Sequence, residues 1–297
     1  MLCLKTIYAI IEDMKSKLKI IFLTVILLII AIGGFFVFNN KNAPIKFENQ
    51  LSIPAKIDTL NTKVTSTLSK LIPPIRVPIL VYHSIRPSYV GEPNANKIYD
   101  VHPKNFEKQL QYLKAQGYTT ISFKDLTNYF DGKSLPTKPV IISLDDGLET
   151  QFINAVPILI KESMTATFFI YTNAIGRPKF FTWDQVRELS KFNMEIGGHS
   201  KSHPYLWKIT DTTKLKIEIV ESKKIIEEQI GKTITAFAYP FGLHKPITIA
   251  EIKAAGYTSA RIGFERTTHT KDDLYTLHSF MVTNDMKRFY AVINNQK

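Results

Sequence analysis

Residues 139–150 read PVIISLDDGLET. The run Val140-Ile141-Ile142 has the length and composition of a buried strand, and it delivers two adjacent carboxylates, Asp145 and Asp146, to the strand's end just before Gly147. Like charges this close repel, and desolvating them costs several kcal/mol, on the order of what a single buried unpaired polar group costs. The sequence therefore calls for a positive partner at this point. A simple pair of helix-capping aspartates, held by the dipole of the following helix, is the alternative reading of Asp-Asp-Gly taken alone.

Working outward, strand-like and helix-like segments alternate on both sides. Strands are expected near 76–82, 139–144, 165–171, 194–198, 235–240, 257–262 and 277–282, and helices near 103–117, 152–161, 182–190, 211–230 and 247–255. Thr182 followed by Gln185 has the form of a capping box, which favours helix initiation over a sugar-binding role for Trp183 and Asp184. Alternation of this kind indicates an α/β fold with a parallel sheet, either open or closed into a barrel. In both, sites gather at the C-terminal ends of strands, where Asp145 and Asp146 lie.

The second informative stretch is EIGGHSKSH, 195–203. His199 and His203 stand four residues apart in a tight loop that two glycines precede. Two imidazoles on one turn can meet at one point, and with a carboxylate they make the three-ligand set, open at a fourth position, used by catalytic zinc. A metal is then the positive partner that adjacent aspartates require.

SLDDG, HSKSH and AYPFG, in this order, resemble the first three motifs of the NodB-like polysaccharide deacetylases (carbohydrate esterase family 4). PILVYHSI at 78–85 and FEKQLQYLKAQGYTTISF at 106–123 are similar to the branch acting on poly-N-acetylglucosamine. The resemblance covers roughly residues 76–285 and implies a deformed (β/α) barrel. It implies Asp146, His199 and His203 as ligands of a divalent metal, by default zinc, with cobalt or nickel also suited to such donors. It implies Asp145 as the base that activates a metal-bound water, the backbone N–H of Phe241 as an oxyanion donor, and His83 of the Tyr82-His83 pair as the acid. His278, in TLHSF, is a second candidate acid, although it directly follows Leu277 where the family pattern has one residue between. Tyr239, Tyr205 and Trp207 are candidate substrate contacts. The third motif usually carries an arginine that orients the base, and here Ala238 stands in its place. Asp145 accordingly needs another partner or is less well held; the branch with YPFG commonly lacks this arginine, so the resemblance does not exclude activity.

The remainder of the chain sets the context. Composition is that of a globular protein, 44% hydrophobic and 22% charged over 297 residues, with a formal net charge of +12. Lys and Arg are spread along the chain with no nucleic-acid-binding module, so no nucleic acid partner is expected; a lysine-rich surface is the favoured reading of the charge, with attraction to anionic lipid or envelope polymer as the alternative. The single cysteine, Cys3, precludes an internal disulfide. Residues 20–38 carry no charge and reach the roughly 20 apolar residues needed to cross a bilayer. Lys15, Lys17 and Lys19 precede them, so the N-terminus should stay cytoplasmic and the bulk of the chain outside, periplasmic or extracellular. The run ends in Phe35-Phe36-Val37-Phe38, without the small residues of a cleaved signal peptide. MKSKLKII from Met14 also resembles a natural start. The expected organisation is a cytoplasmic segment 1–19, a transmembrane anchor 20–38, a stalk 39–75 ending at Pro73-Pro74, and a catalytic domain 76–297. The expected activity is removal of N-acetyl groups from an envelope or extracellular polysaccharide. Peptidoglycan, a lipid-linked sugar or an O-acetylated glycan are alternative substrates; a catalytically weak glycan-binding scaffold and a metal sensor are alternatives of another class.

Overall fold

The computed structural model describes residues 72–294 apart from 90, 92 and 94–96. The anchor expected over 20–38 lies outside the described residues, and among those described no helix is long and apolar enough to cross a membrane.

The strands that carry the fold are β1 (Ile75–Arg76), β2 (Ile79–Tyr82), β3 (Ser84–Ile85), β4 (Asp100–Val101), β5 (Thr119–Thr120), β6 (Pro139–Asp145), β7 (Thr167–Ile170), β8 (Glu195–Gly198), β9 (Ala236–Ala238), β10 (Ser259–Arg261), β11 (Thr268–His269) and β12 (Phe280–Met281). One parallel sheet runs in the order β10-β9-β8-β7-β6-β2-β12, with β5 added at the start of β6. The sheet curls until its ends meet: Leu277, just before β12, exchanges backbone hydrogen bonds with Ala260 and Ile262 at 2.9 and 2.8 Å, while β12 itself pairs with β2. The result is a curled parallel half-barrel. Periodicity left open sheet and barrel undecided; the β10–Leu277 contact decides it.

Among the described residues, eight α-helices pack around the sheet: α1 (Pro103–Ala115), α2 (Phe123–Phe130), α3 (Val156–Glu162), α4 (Trp183–Lys191), α5 (Thr212–Lys216), α6 (Ser222–Ile230), α7 (Pro246–Ala254) and α8 (Met286–Asn294). Helix α4 starts at the expected capping box of Thr182 and Gln185. Two stretches are π-helical, Gln151–Ala155 leading into α3 and Ile217–Glu221 between α5 and α6, where one continuous α-helix was expected. Helix α2 was not expected, although Ser122 and Asp125 form the same kind of capping box.

The strand period of two divides the core. Leu80, Tyr82, Ile142, Leu144, Phe168 and Phe237 face the helices, whereas Ile79, Ile141, Phe169, Ala236 and Leu277 fill the barrel interior. Asp145 is in phase with Ile141 and Ser143, and His83 with Ile79 and Val81. The apolar floor of the barrel thus rises into a polar mouth at the strands' C-terminal ends. Ile72 and Ile75, within the expected stalk, already pack on this core, and Ile75 pairs with His269.

Candidate active site

The mouth opens into a cleft of about 1140 Å³, and His83, Asp145, Asp146, His199, His203 and Phe241 all line it. Asp145, 4% exposed, ends β6. Its positive neighbour is Arg261, whose Nη2 donates to both carboxylate oxygens at 2.6 and 2.5 Å. Arg261 is buried at the end of β10 and is the direct register partner of Ala238 on β9. The arginine missing from the third motif therefore stands one strand over, and the small alanine beside it leaves the interior open for its side chain. No sequence spacing announces this, because the two partners lie 116 residues apart. Burial alone would raise the Asp145 pKa; the charge and hydrogen bonds of Arg261 outweigh it and hold the carboxyl below its ordinary value.

Asp146 adopts a left-handed backbone, φ 78°, which turns its side chain away from Asp145 and toward the histidines. Its Oδ1 lies 3.6 Å from His199 Nε2 and 3.4 Å from His203 Nε2. One ligand atom from each of the three residues falls within 4.8 Å of the others. The donor set fits a divalent ion. His199 Nδ1 is 2.7 Å from the Ala238 carbonyl, to which it donates, so its Nε2 keeps a free lone pair. Burial pushes the His199 pKa down to about 3 and lowers that of His203, which keeps both rings neutral and able to ligate. Burial also pushes Asp146 up to about 6, the mark of a carboxylate short of positive charge. This is the answer to the adjacent aspartates: one is neutralised by an arginine, the other awaits a cation.

The loop that carries the histidines is built with care. A Cβ on Gly197 would lie 2.4 Å from the Phe169 ring, and one on Gly198 would lie 2.2 Å from the Tyr257 hydroxyl, so β8 can approach its neighbours only as Gly-Gly. Ser200 and His203 both have left-handed φ, 72° and 59°, and the His203 N–H donates to Ser200 Oγ at 2.9 Å. Glu218, in the second π-helical stretch, accepts from the N–H of Lys201 and Ser202 and from Ser202 Oγ, at 3.0, 2.8 and 2.6 Å. In the first π-helical stretch, buried Gln151 donates to the carbonyls of His83 at 2.9 Å and Asp145 at 2.5 Å, tying the ends of β2 and β6 together. Such π-turns concentrate at functional sites. Neither Gln151 nor Glu218 stood out in the sequence.

His83 Nε2 lies 4.0 Å from Asp145 Oδ2, with its ring edge-on to Tyr99 at 5.0 Å. His278 is placed differently. Its Nδ1 bonds the Phe264 carbonyl at 2.6 Å, and it is not among the residues that line the cleft. Phe241 has φ 61°, and its ring touches His203 and stacks on Tyr205 with centroids 3.9 Å apart. Lys208 Nζ lies 4.7 Å from the Tyr205 ring, and Tyr205 is not among the residues that line the cleft. Trp207 sits between Lys208 and Lys245 and does not line the cleft; Tyr239 does.

The family model described as polysaccharide deacetylase matches residues 132–260, which include both aspartates, both histidines and YPFG. Over these residues the chain is similar to the polysaccharide deacetylases. The YxkH protein of Bacillus subtilis strain 168 is 28% identical to this deacetylase over 236 residues, covering 78% of this chain and 81% of that one. The poly-β-1,6-N-acetyl-D-glucosamine N-deacetylase of Staphylococcus epidermidis is 27% identical over 205 residues, 64% of this chain and 70% of its own. Among solved structures, Streptococcus pyogenes deacetylase PplD, in complex with acetate, superposes with a TM-score of 0.68 at 26% identity, covering 72% of this chain and 95% of that chain. The deacetylase is thus an enzyme of a hydrolytic family, with the half-barrel fold and a candidate metal centre at the expected residues.

Proposed function

We propose that the chain removes N-acetyl groups from poly-β-1,6-N-acetylglucosamine or a closely related envelope glycan, giving acetate and a free amine. The carrying observation is the arrangement at one cleft of Asp145 held by Arg261, the Asp146–His199–His203 group, and His83 within 4.0 Å of Asp145. The similarity to the staphylococcal N-deacetylase supports the choice of glycan.

Asp146, His199 and His203 would hold the ion, zinc by preference for two imidazoles and a carboxylate. When bound, that ion supplies Lewis-acid polarisation and lowers the pKa of water. Asp145 is kept ionised by Arg261 and so can take the proton of the attacking water. The Phe241 N–H donates to the oxygen on which charge develops. His83, on the facing strand end, passes a proton to the departing amine, completing hydrolysis without net gain or loss of protons by the protein. The anchor expected over 20–38 would hold this cleft at the outer surface of a membrane, where an envelope glycan is made or exported.

The test is acetate release from β-1,6-linked N-acetylglucosamine oligomers by the full chain with added Zn²⁺, beside Asp145→Asn. Release that falls by about 10³-fold or more in the variant, with Zn²⁺ still bound, supports the reading. Release from none of these oligomers, with Zn²⁺ bound, overturns the assigned glycan.

A further inference from the structure

The exits of β9 and β10 touch backbone to backbone: Gly263 N lies 3.3 Å from Gly242 O, and a Cβ on Gly242 would come within 2.5 Å of Gly263 N. A phenylalanine flanks this contact on each side, and both have the same left-handed backbone, Phe241 with φ 61° and Phe264 with φ 65°. Both rings line the cleft, 50% and 61% exposed. For a bulky residue this conformation is a true outlier, and an exposed phenyl ring adds an unfavourable hydration term. Phe241 has ring partners in Tyr205 and His203. Among the described residues no aromatic ring pairs with that of Phe264.

Its carbonyl, by contrast, is held by a hydrogen bond, and the two residues after it are held through their side chains. His278 Nδ1 donates to the Phe264 carbonyl at 2.6 Å, Glu265 pairs with Arg288, and Arg266 pairs with Asp273 at 2.6 Å. The turn is thus fixed by four neighbours in a costly shape, and the product of that cost is a bare aromatic face at the rim of the cleft.

We propose that Phe264 is a sugar-stacking platform, the binding subsite for a pyranose next to the residue being deacetylated, with His278 as the residue that holds its turn. An aromatic face suits the C–H surface of a pyranose, whose hydroxyls then remain in water. The assignment rests on the glycan reading above. It explains why His278 is turned to a backbone carbonyl, and it makes substrate length a determinant of the rate.

The experiment compares wild type, Phe264→Ala, Phe264→Trp and Phe264→Gly on two probes: a β-1,6-linked N-acetylglucosamine pentasaccharide, and 4-nitrophenyl acetate, a small ester without sugars. Expected is a loss of about tenfold in kcat/KM on the pentasaccharide for the Ala and Gly variants, mostly in KM, with ester hydrolysis within about twofold of wild type. The Trp variant should retain pentasaccharide activity. The thermal midpoint of Phe264→Gly should equal or exceed that of wild type, because glycine relieves the backbone. An equal loss on both probes, or no loss on the pentasaccharide, overturns the platform. Wild type that cleaves the ester and leaves the pentasaccharide untouched overturns the glycan reading, and the platform with it.

Discussion

The least expected residue is Arg261. A buried carboxylate beside a metal group must be kept ionised to serve as a base, and a guanidinium in bidentate reach does this most directly. Because Arg261 and Ala238 are register partners, an arginine could reach Asp145 from either strand. Arg261→Ala should cut kcat/KM by about 10²–10³-fold and move the acid limb of its pH profile to higher pH, since the Asp145 pKa rises once its positive partner is gone. The double variant Ala238→Arg/Arg261→Ala should recover a measurable part of the loss. A pH profile that stays in place in Arg261→Ala would refute the role. The aspartates, the histidines and His83 were legible in the sequence because each motif is local and its chemistry is unusual for a strand end. Arg261 was not, since a contact across two strands leaves no mark in spacing. Nor were the ring contacts of Tyr205 with Phe241 and of Trp207 with Lys208 and Lys245.

At the scale of elements, capping chemistry announced α4 correctly and would have announced α2, which carries the same signal at Ser122 and Asp125. The π-turns were illegible, because a single extra residue per turn is set by tertiary demand and not by local propensity. Their consequence is functional. The second one aims Glu218 at Lys201 and Ser202 in the loop between the two histidines, so Glu218→Ala should weaken Zn²⁺ binding by up to about tenfold, because the loop that presents both rings loses its anchor. Competition with a chelator would measure this, and Glu218→Gln should fall between the two because its amide oxygen can still accept from one amide. Unchanged affinity in Glu218→Ala would show that Ser200 and the strand ends suffice.

For the molecule as a whole, acid should be the weak point. His269, fully buried where β1 meets β11, accommodates only a neutral ring: burial pushes its pKa down to about 4 from 6.5, with Nε2 donating to the Val77 carbonyl. Its folded pKa is depressed, so the unfolded chain binds the extra proton first. Stability is therefore full above about pH 6.5 and declines as pH falls toward 4, by up to about 3 kcal/mol from this residue. Urea unfolding at pH 7 and pH 4.5 should show that loss shrink in His269→Gln. An identical loss in both proteins would place the acid sensitivity elsewhere. The alternating pattern conveyed an α/β sheet but not its closure, because the Leu277 contact involves too short a stretch to leave a periodicity.

That closure also dictates an order of events. Strand β2, the apolar run Ile79–Tyr82, comes early among the described residues, yet one of its two edges is covered only by β12, two hundred residues later. Until Phe280 and Met281 have left the ribosome, β2 presents unpaired amides flanked by some of the most apolar side chains in the protein. Such an edge is a template for pairing with other chains. The half-made polypeptide is thus its own aggregation hazard, and in a cell the delay is one a chaperone has to cover.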